Sequence, residues 1–316
     1  MLTRYLGPVI TDAFGDEDVT EIYVNPQDNA VRVDTRSRGK RDTGEHLPAH
    51  RIELFLNAVA TSLGHTLTPD QPRLQAELPR RTFHGSRLQG FIAPLSSGPT
   101  FTIRKPSSVI HTLSEYVASG ILMAAQCDAL RAAVVAHENI LVAGGTNSGK
   151  TTLANALLRE ITDQFPQERL VLLEDTVELQ CAADDHLTLR TGPQVSLAEL
   201  VRSTLRTSPN RIIVGEVRGP EALDLLDAWA TGHPGGVATV HASSAEGALN
   251  RLDRLAQRAN VPPQTVLVAE AINLVVVIAG GNAGRRVTDI ARVEGLDDRG
   301  LYSLHHLTEQ NHDTSS

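Results

Sequence analysis

Residues 144–151 read G-G-T-N-S-G-K-T. Gly144, Gly149, Lys150 and Thr151 meet the spacing G-x-x-x-x-G-K-[S/T], and each has a chemical reason to stand there. Glycines let the backbone curl so that successive N–H groups turn inward on a phosphate. Lys150 is spaced to reach the β- and γ-phosphates, and the Thr151 hydroxyl can ligate Mg2+. Gly145, Thr146, Asn147, Ser148 and Thr152 complete the stretch that would touch a bound nucleotide. A phosphate held here also sits on the positive end of whatever helix follows. The flanks supply the strand and helix that the motif needs. N-I-L-V-A (Asn139 to Ala143) is a short apolar run before it, and T-L-A-N-A-L-L-R-E-I after it has apolar residues at helical spacing. The stretch is expected to bind a nucleoside triphosphate with Mg2+.

A phosphate loop alone does not separate kinases, GTPases, ABC ATPases and RecA-like motors. The chain has no N-K-x-D guanine motif and no L-S-G-G-Q signature, which points to ATP and the RecA-like group. L-V-L-L-E-D-T-V-E (Leu170 to Glu178) is an apolar strand ending in Glu174 and Asp175, and R-I-I-V-G-E-V-R-G-P-E (Arg211 to Glu221) ends in Gly215 and Glu216. Open α/β sheets bind ligands at the carboxyl ends of their strands, so both acids are delivered to the edge that carries the loop. Phosphoryl chemistry needs one acid to hold Mg2+ and one to orient or deprotonate the attacking water. Glu174 and Glu216 are candidates for both duties. One such acid would be an ordinary solvated loop residue; two beside a phosphate loop argue for chemistry. T-G-H-P-G-G-V-A-T-V-H-A (Thr231 to Ala242) gives a turn, a short strand and His241 at its end, where a polar side chain can sense a γ-phosphate. A lone histidine in such a place is more often simply a hydrogen-bonded structural residue.

The elements that must position these residues fall into two groups. E-I-Y-V-N-P (Glu21 to Pro26) and A-V-R-V-D (Ala30 to Asp34) read as a hairpin, Arg51 to Gly64 as an amphipathic helix, and Ser86 to Pro94 and Thr100 to Arg104 as strands. They make an N-terminal α+β domain over residues 1–105. A connector at 106–112, begun by K-P-S-S (Lys105 to Ser108), leads to a RecA-like P-loop ATPase domain with a mostly parallel sheet at 113–307 and a polar tail at 308–316. In the second domain apolar strands (Asn139–Ala143, Leu170–Leu173, Ile212–Gly215) alternate with helices. S-L-A-E (Ser196 to Glu199) and S-S-A-E (Ser243 to Glu246) have the spacing of capping boxes. Val266 to Ala279 reads as a helix end running into a buried strand, because Glu270 and Asn273 break it and it is too short to span a bilayer. No apolar leader or transmembrane segment is evident, so the expected location is the cytoplasm. Cys127 and Cys181 form no C-x-x-C pair, which argues against a structural zinc site and gives no disulfide framework. The net charge of −8 argues against direct DNA binding.

The phosphate loop, E-D-T-x-E, G-E-V-R-G-P-E and T-G-H-P-G-G-x-x-T-x-H-A, in this order, resemble the Walker A, Asp, Walker B and His boxes of the type II/type IV secretion ATPase superfamily. V-T-E-I-Y-V-N-P, F-T-I-R-K-P-S and R-G-P-E are similar to its conjugative-transfer branch, of the TrbB kind. The resemblance runs from about residue 10 to residue 300. It implies an ATP-hydrolysing motor that powers pilus assembly or substrate translocation. Lys150 and Thr151 match phosphate and Mg2+ ligands, Glu216 ranks first and Glu174 second for activating water, and His241 matches the γ-phosphate sensor, with His233 structural. The resemblance also implies a hexameric ring with nucleotide held between the domains, Arg87 and Arg104 reaching the phosphates, and Arg202, Arg206 or Arg218 acting across a subunit boundary. It implies inner-membrane channel partners and peripheral association with the inner membrane. A RecA-type DNA translocase or helicase, and an ATP-switched docking scaffold, would use the same phosphate loop and acids.

Overall fold

The computed structural model describes residues 2–106, 110–192, 194–280 and 284–307. The chain forms two compact units, Met1–Ser108 and Val109–Ser316. Residues 107–109 of the expected connector and the whole of the expected polar tail lie outside the described residues.

The first unit runs α1 (Thr3–Leu6), α2 (Pro8–Gly15), β1 (Val19–Val24), β2 (Ala30–Thr35), β3 (Gly39–His46), α3 (Ala49–Ser62), β4 (Arg73–Glu77), α4 (Arg80–Phe83), β5 (Arg87–Phe91) and β6 (Thr100–Arg104). The six strands make an antiparallel sheet in the order β3-β2-β1-β6-β5-β4. Alternate residues such as Ile22, Val24, Val33, Leu88 and Ile103 point into one core, which Ile52, Phe55 and Leu56 of α3 also enter. Gly90 allows that approach, since a Cβ there would come within 2.5 Å of Leu56. The expected hairpin is β1 and β2. The expected helix begins two residues earlier than its pattern suggested, with Pro48 at the cap position. The strand expected over Ser86 to Pro94 is only Arg87–Phe91. The chain turns at Ile92, whose carbonyl accepts from Leu95 N–H at 3.1 Å, and Pro94 has no N–H for a ladder.

The second unit opens with α5 (Leu113–Ala118) and α6 (Ala124–Val135), followed by β7 (Ile140–Gly144), α7 (Lys150–Gln164), β8 (Leu170–Glu174) and β9 (His186–Arg190). It continues through α8 (Leu197–Thr204), β10 (Arg211–Val214), α9 (Glu221–Ala230), β11 (Val237–Val240), α10 (Ala245–Ala256), α11 (Thr265–Ala271), β12 (Leu274–Ala279), β13 (Arg286–Leu296) and β14 (Tyr302–His306). The eight strands lie in the order β14-β13-β12-β7-β11-β10-β8-β9. Pairings from β12 to β9 are parallel, and β13 and β14 add antiparallel. Every residue of β7, β8, β10 and β11 is buried. Leu141, Ala143, Val171 and Leu173 pack on one side against α8 to α11; Ile140, Val142, Leu170 and Leu172 pack on the other against α5 to α7. Helices on both faces are why these strands read as unbroken apolar runs rather than alternating ones.

Two buried polar side chains fix the amino ends of the strands. Asn139, 3% exposed, donates from its side chain to Ala271 O at 2.7 Å and accepts from Gly236 N–H at 2.9 Å, tying the starts of β7, β11 and β12 together. Arg211 is fully buried, forms an ion pair with Glu168 at 2.5 Å, donates to Val134 O and Gly235 O, and lies over the Phe165 ring. With their amino ends locked, the opposite ends of the strands converge at one edge. The capping box of Ser196 and Glu199 forms as expected. The one expected at Ser243 does not: Ser244 is the cap and accepts from Gly247 N–H at 3.1 Å. The cap moves one residue along because the helix starts at Ala245, which puts Gly247 rather than Glu246 at the third position.

Candidate functional site

The loop expected to hold phosphate joins the end of β7 to the start of α7. Asn147 and Gly149 both take positive φ, 59° and 100°, the second a value that favours glycine. Gly144 is required by close packing, because a Cβ there would lie 2.4 Å from Ser148 Oγ and 2.5 Å from Ile278 O. Gly145, Thr146 and Asn147 are exposed, Ser148 and Lys150 are buried, and Gly149, Thr151 and Thr152 are half-buried. The curl therefore turns an open rim outward over a packed base.

Four further elements bring side chains to this rim. Lys150 Nζ donates to Gly145 O at 2.8 Å and lies 3.4 Å from His241 Nδ1, just past the end of β11. With the lysine donating to Nδ1, the imidazole proton sits on Nε2, which is 3.0 Å from Glu216 Oε1 at the end of β10. That approach is close but off the line of a hydrogen bond, and Glu216 Oε1 has no hydrogen-bond partner among the described residues. Its other oxygen accepts from Arg218 at 2.6 Å. Burial pulls the Lys150 ammonium below its ordinary pKa, against the pull of Glu216. Burial and then Lys150 lower His241, so the ring is neutral at pH 7. Burial raises Glu216, but Arg218, His241 and Lys150 together outweigh it and hold the carboxyl below its ordinary value.

Glu174, the last residue of β8, is built differently. It is 2% exposed. Its Oε1 accepts from the backbone N–H groups of Glu178 and Leu179 at 2.8 and 2.7 Å. Its Oε2 is buried with no partner among the described residues. Burial pushes this carboxyl above its ordinary pKa, although the two backbone donors pull the other way. A buried acceptor without a partner costs roughly 1–3 kcal/mol, so it marks a place for a water or ligand to serve.

Sequence spacing overlooked Glu178. Its carboxylate accepts from Thr151 Oγ1 at 3.0 Å, and its backbone O accepts from Asn155 Nδ2 at 3.2 Å, which links the segment after β8 to α7. The signal was present in E-D-T-V-E, where the second glutamate stands four residues after the first. Glu221 is a local brace: it accepts from the N–H groups of Arg218 and Gly219, both at 2.7 Å, and shapes the turn after Glu216.

Other expected residues lie apart from this cluster. His233 follows α9, where its N–H bonds Ala228 O at 3.2 Å. Arg202 is exposed on α8 and forms an ion pair with Asp224 at 2.9 Å, while Arg206 is exposed just beyond α8. Arg87 and Arg104 belong to the first unit and are direct cross-strand partners on β5 and β6, flanked in register by Glu77 and Glu21. Among the described residues no group of three or more metal-type ligands occurs, and no helix is long and apolar enough to cross a membrane.

A family model described as Type II/IV secretion system protein matches residues 1–290. The chain is similar to the Probable conjugal transfer protein TrbB of Sinorhizobium fredii (strain NBRC 101917 / NGR234), with 42% identity over 98% of this chain and 94% of that protein. It is also similar to the Type IV secretion system protein PtlH of Bordetella pertussis, with 38% identity over 89% and 92% of the two chains. Among solved structures, the Legionella pneumophila ATPase DotB aligns over 93% of this chain and 82% of its own with a TM-score of 0.62 and 20% identity, a likeness of fold.

Proposed function

This chain belongs to the Type II/IV secretion system protein family, and on that premise we propose that it is the ATP-hydrolysing motor of a conjugative-transfer or type IV secretion system. The second unit is its RecA-like domain. The observation that carries the reading is convergence: the phosphate loop, Glu174, Glu178, Glu216 and His241 arrive at one sheet edge from four strands and a helix. The residues suit Mg2+ and a triphosphate. The loop is a glycine cradle that a Cβ would fill at Gly144, and a buried carboxylate oxygen stands without a partner beside it.

Residues 144–152 wrap the phosphates and Lys150 neutralises them. Its amine already donates to the loop's own Gly145 carbonyl, so a phosphate oxygen needs only to replace that acceptor. Thr151 and Glu216 would hold the metal, and Glu178 fixes the Thr151 rotamer by accepting a hydrogen bond from its hydroxyl. Mg2+, when bound, supplies charge neutralisation between the phosphate oxygens. Water activation belongs to Glu174 rather than Glu216. Each carboxylate has one oxygen without a hydrogen-bond partner among the described residues, but Glu174 Oε1 is held rigid by two N–H groups, whereas Glu216 is ion-paired with Arg218 and held below its ordinary pKa, which makes it the weaker base. A base works best with a pKa near the working pH, and burial moves Glu174 that way. His241 lies between Lys150 and Glu216, 3.4 Å from one and 3.0 Å from the other, so displacement of the lysine by phosphate frees the ring to shift against Glu216.

Arg87 and Arg104 are assigned as nucleotide contacts from the family resemblance. The working form is a homo-oligomeric ring on the cytoplasmic face of the inner membrane, acting on channel components. The test is Lys150→Ala in the purified full chain. We expect loss of ATP hydrolysis and of fluorescent-ADP binding, while wild-type protein shows both; hydrolysis that survives the substitution refutes the assignment.

A further inference from the structure

The acids and the histidine all reach the phosphate loop from one flank. In the sheet order β12-β7-β11-β10-β8, the loop leaves β7, and Glu174, Glu216 and His241 stand at or just past the ends of β8, β10 and β11. The other flank of β7 is β12, and it is packed hard against the loop. A Cβ on Gly280 would come 2.8 Å from Ser148 Cα, and one on Gly144 would meet Ile278 O. On this flank an arginine enters the site. A Cβ on Gly149 would lie 3.2 Å from Arg285 Cδ and 3.4 Å from its Nε, so the aliphatic stem rests on the last glycine of the loop. The residue is exposed, and its charge acts on the buried Tyr116 of α5. Its backbone is anchored. Arg286 pairs with Ala279 at the start of β13, and Val287 N–H donates to Ile121 O at 2.8 Å. An arginine is thus held at the lip of the loop, on the side opposite the hydrolytic groups.

A triphosphate laid with its γ end toward the acids places its nucleoside end away from them. From the contact with Gly149 and this two-sided arrangement, we propose that Arg285 binds the nucleoside end of the nucleotide, at the α-phosphate and purine. A guanidinium suits both: it donates to phosphate oxygens and stacks on aromatic faces. Arg285 thereby sets affinity for the nucleotide without touching the bond that breaks. The inference rests on the reading of the phosphate loop above.

The experiment compares wild type, Arg285→Ala and the neighbouring control Arg286→Ala as full chains. Three quantities are read: kcat and KM for Mg-ATP, affinity for fluorescent ADP, and inhibition by inorganic pyrophosphate, which has neither the third phosphate nor a nucleoside. We expect Arg285→Ala to raise KM and weaken ADP binding about tenfold, the scale of one lost charge-assisted contact. Its kcat should stay within about twofold, its pyrophosphate inhibition should match wild type, and Arg286→Ala should behave as wild type. Unchanged KM and ADP affinity, or an equal loss of pyrophosphate inhibition, overturns the proposal. Nucleotide binding that persists in Lys150→Ala overturns the underlying site instead, so the two failures are told apart.

Discussion

At the residue scale the site turns on two glutamates at neighbouring strand ends with opposite surroundings. Glu174 has one oxygen clamped by backbone donors and one buried and unserved. Glu216 has one oxygen on Arg218 and the other facing His241. A carboxylate already neutralised by cations makes a poor base and a good anchor for charge. The expected outcome is that Glu174→Gln lowers kcat by roughly 100-fold or more, within the range that general-base loss produces, with ADP affinity unchanged. Glu216→Gln should in addition weaken the response to Mg2+, seen as a higher half-saturating concentration in a phosphate-release assay. Equal effects of the two substitutions on both readouts would refute the division of labour. The residue types were legible in the sequence: Lys150, Thr151, Glu174, Glu216 and His241 all stood out by motif. The motif resemblance ranks Glu216 first for activating water, while we favour Glu174 on its surroundings, because the clamping of one oxygen depends on the turn that brings Glu178 N–H back onto Glu174. Arg285 was hidden for a similar reason. It lies well over a hundred residues from the loop in sequence and touches it only through the β12–β13 pairing.

At the element scale, local signals told strands from helices where burial was one-sided or complete. β7, β8 and β10 were plain from their apolar runs, and the Val266 to Ala279 stretch resolves into α11 and β12 as its polar breaks suggested. β13 and β14 have mixed burial and many polar residues, so no clean period marks them; β9 alternates, with Leu187 and Leu189 between polar neighbours, but it is too short for the alternation to stand out. The cap of α10 shows the limit of a four-residue pattern. Ser243 and Ser244 are adjacent, and only the start of the helix decides which one serves. Replacing Ser244 with Ala should cost about 1 kcal/mol of unfolding free energy, whereas Ser243→Ala should stay within about 0.5 kcal/mol, the usual range for a surface change. Denaturant titration of the two variants distinguishes them, and the reverse order would move the cap back to the expected box.

At the scale of the whole molecule, each unit has its own core. One is built around α3 and the antiparallel sheet, and the others lie on the two faces of the eight-stranded sheet. Composition made this division visible before topology did, since half-buried alternation in the first hundred residues gives way to continuous apolar runs. What alternation and runs cannot encode is assembly, which depends on surfaces between copies. A motor that converts hydrolysis into movement needs copies to act on one another, while a nucleotide-switched scaffold made of the same residues could act alone. The most direct measurement is the particle mass of the purified full chain with Mg2+ and a non-hydrolysable ATP analogue. The motor account predicts a dominant species of six times the 34.0 kDa chain mass, lost in Lys150→Ala. A monomer that binds the analogue and stays a monomer at every protein concentration would contradict it.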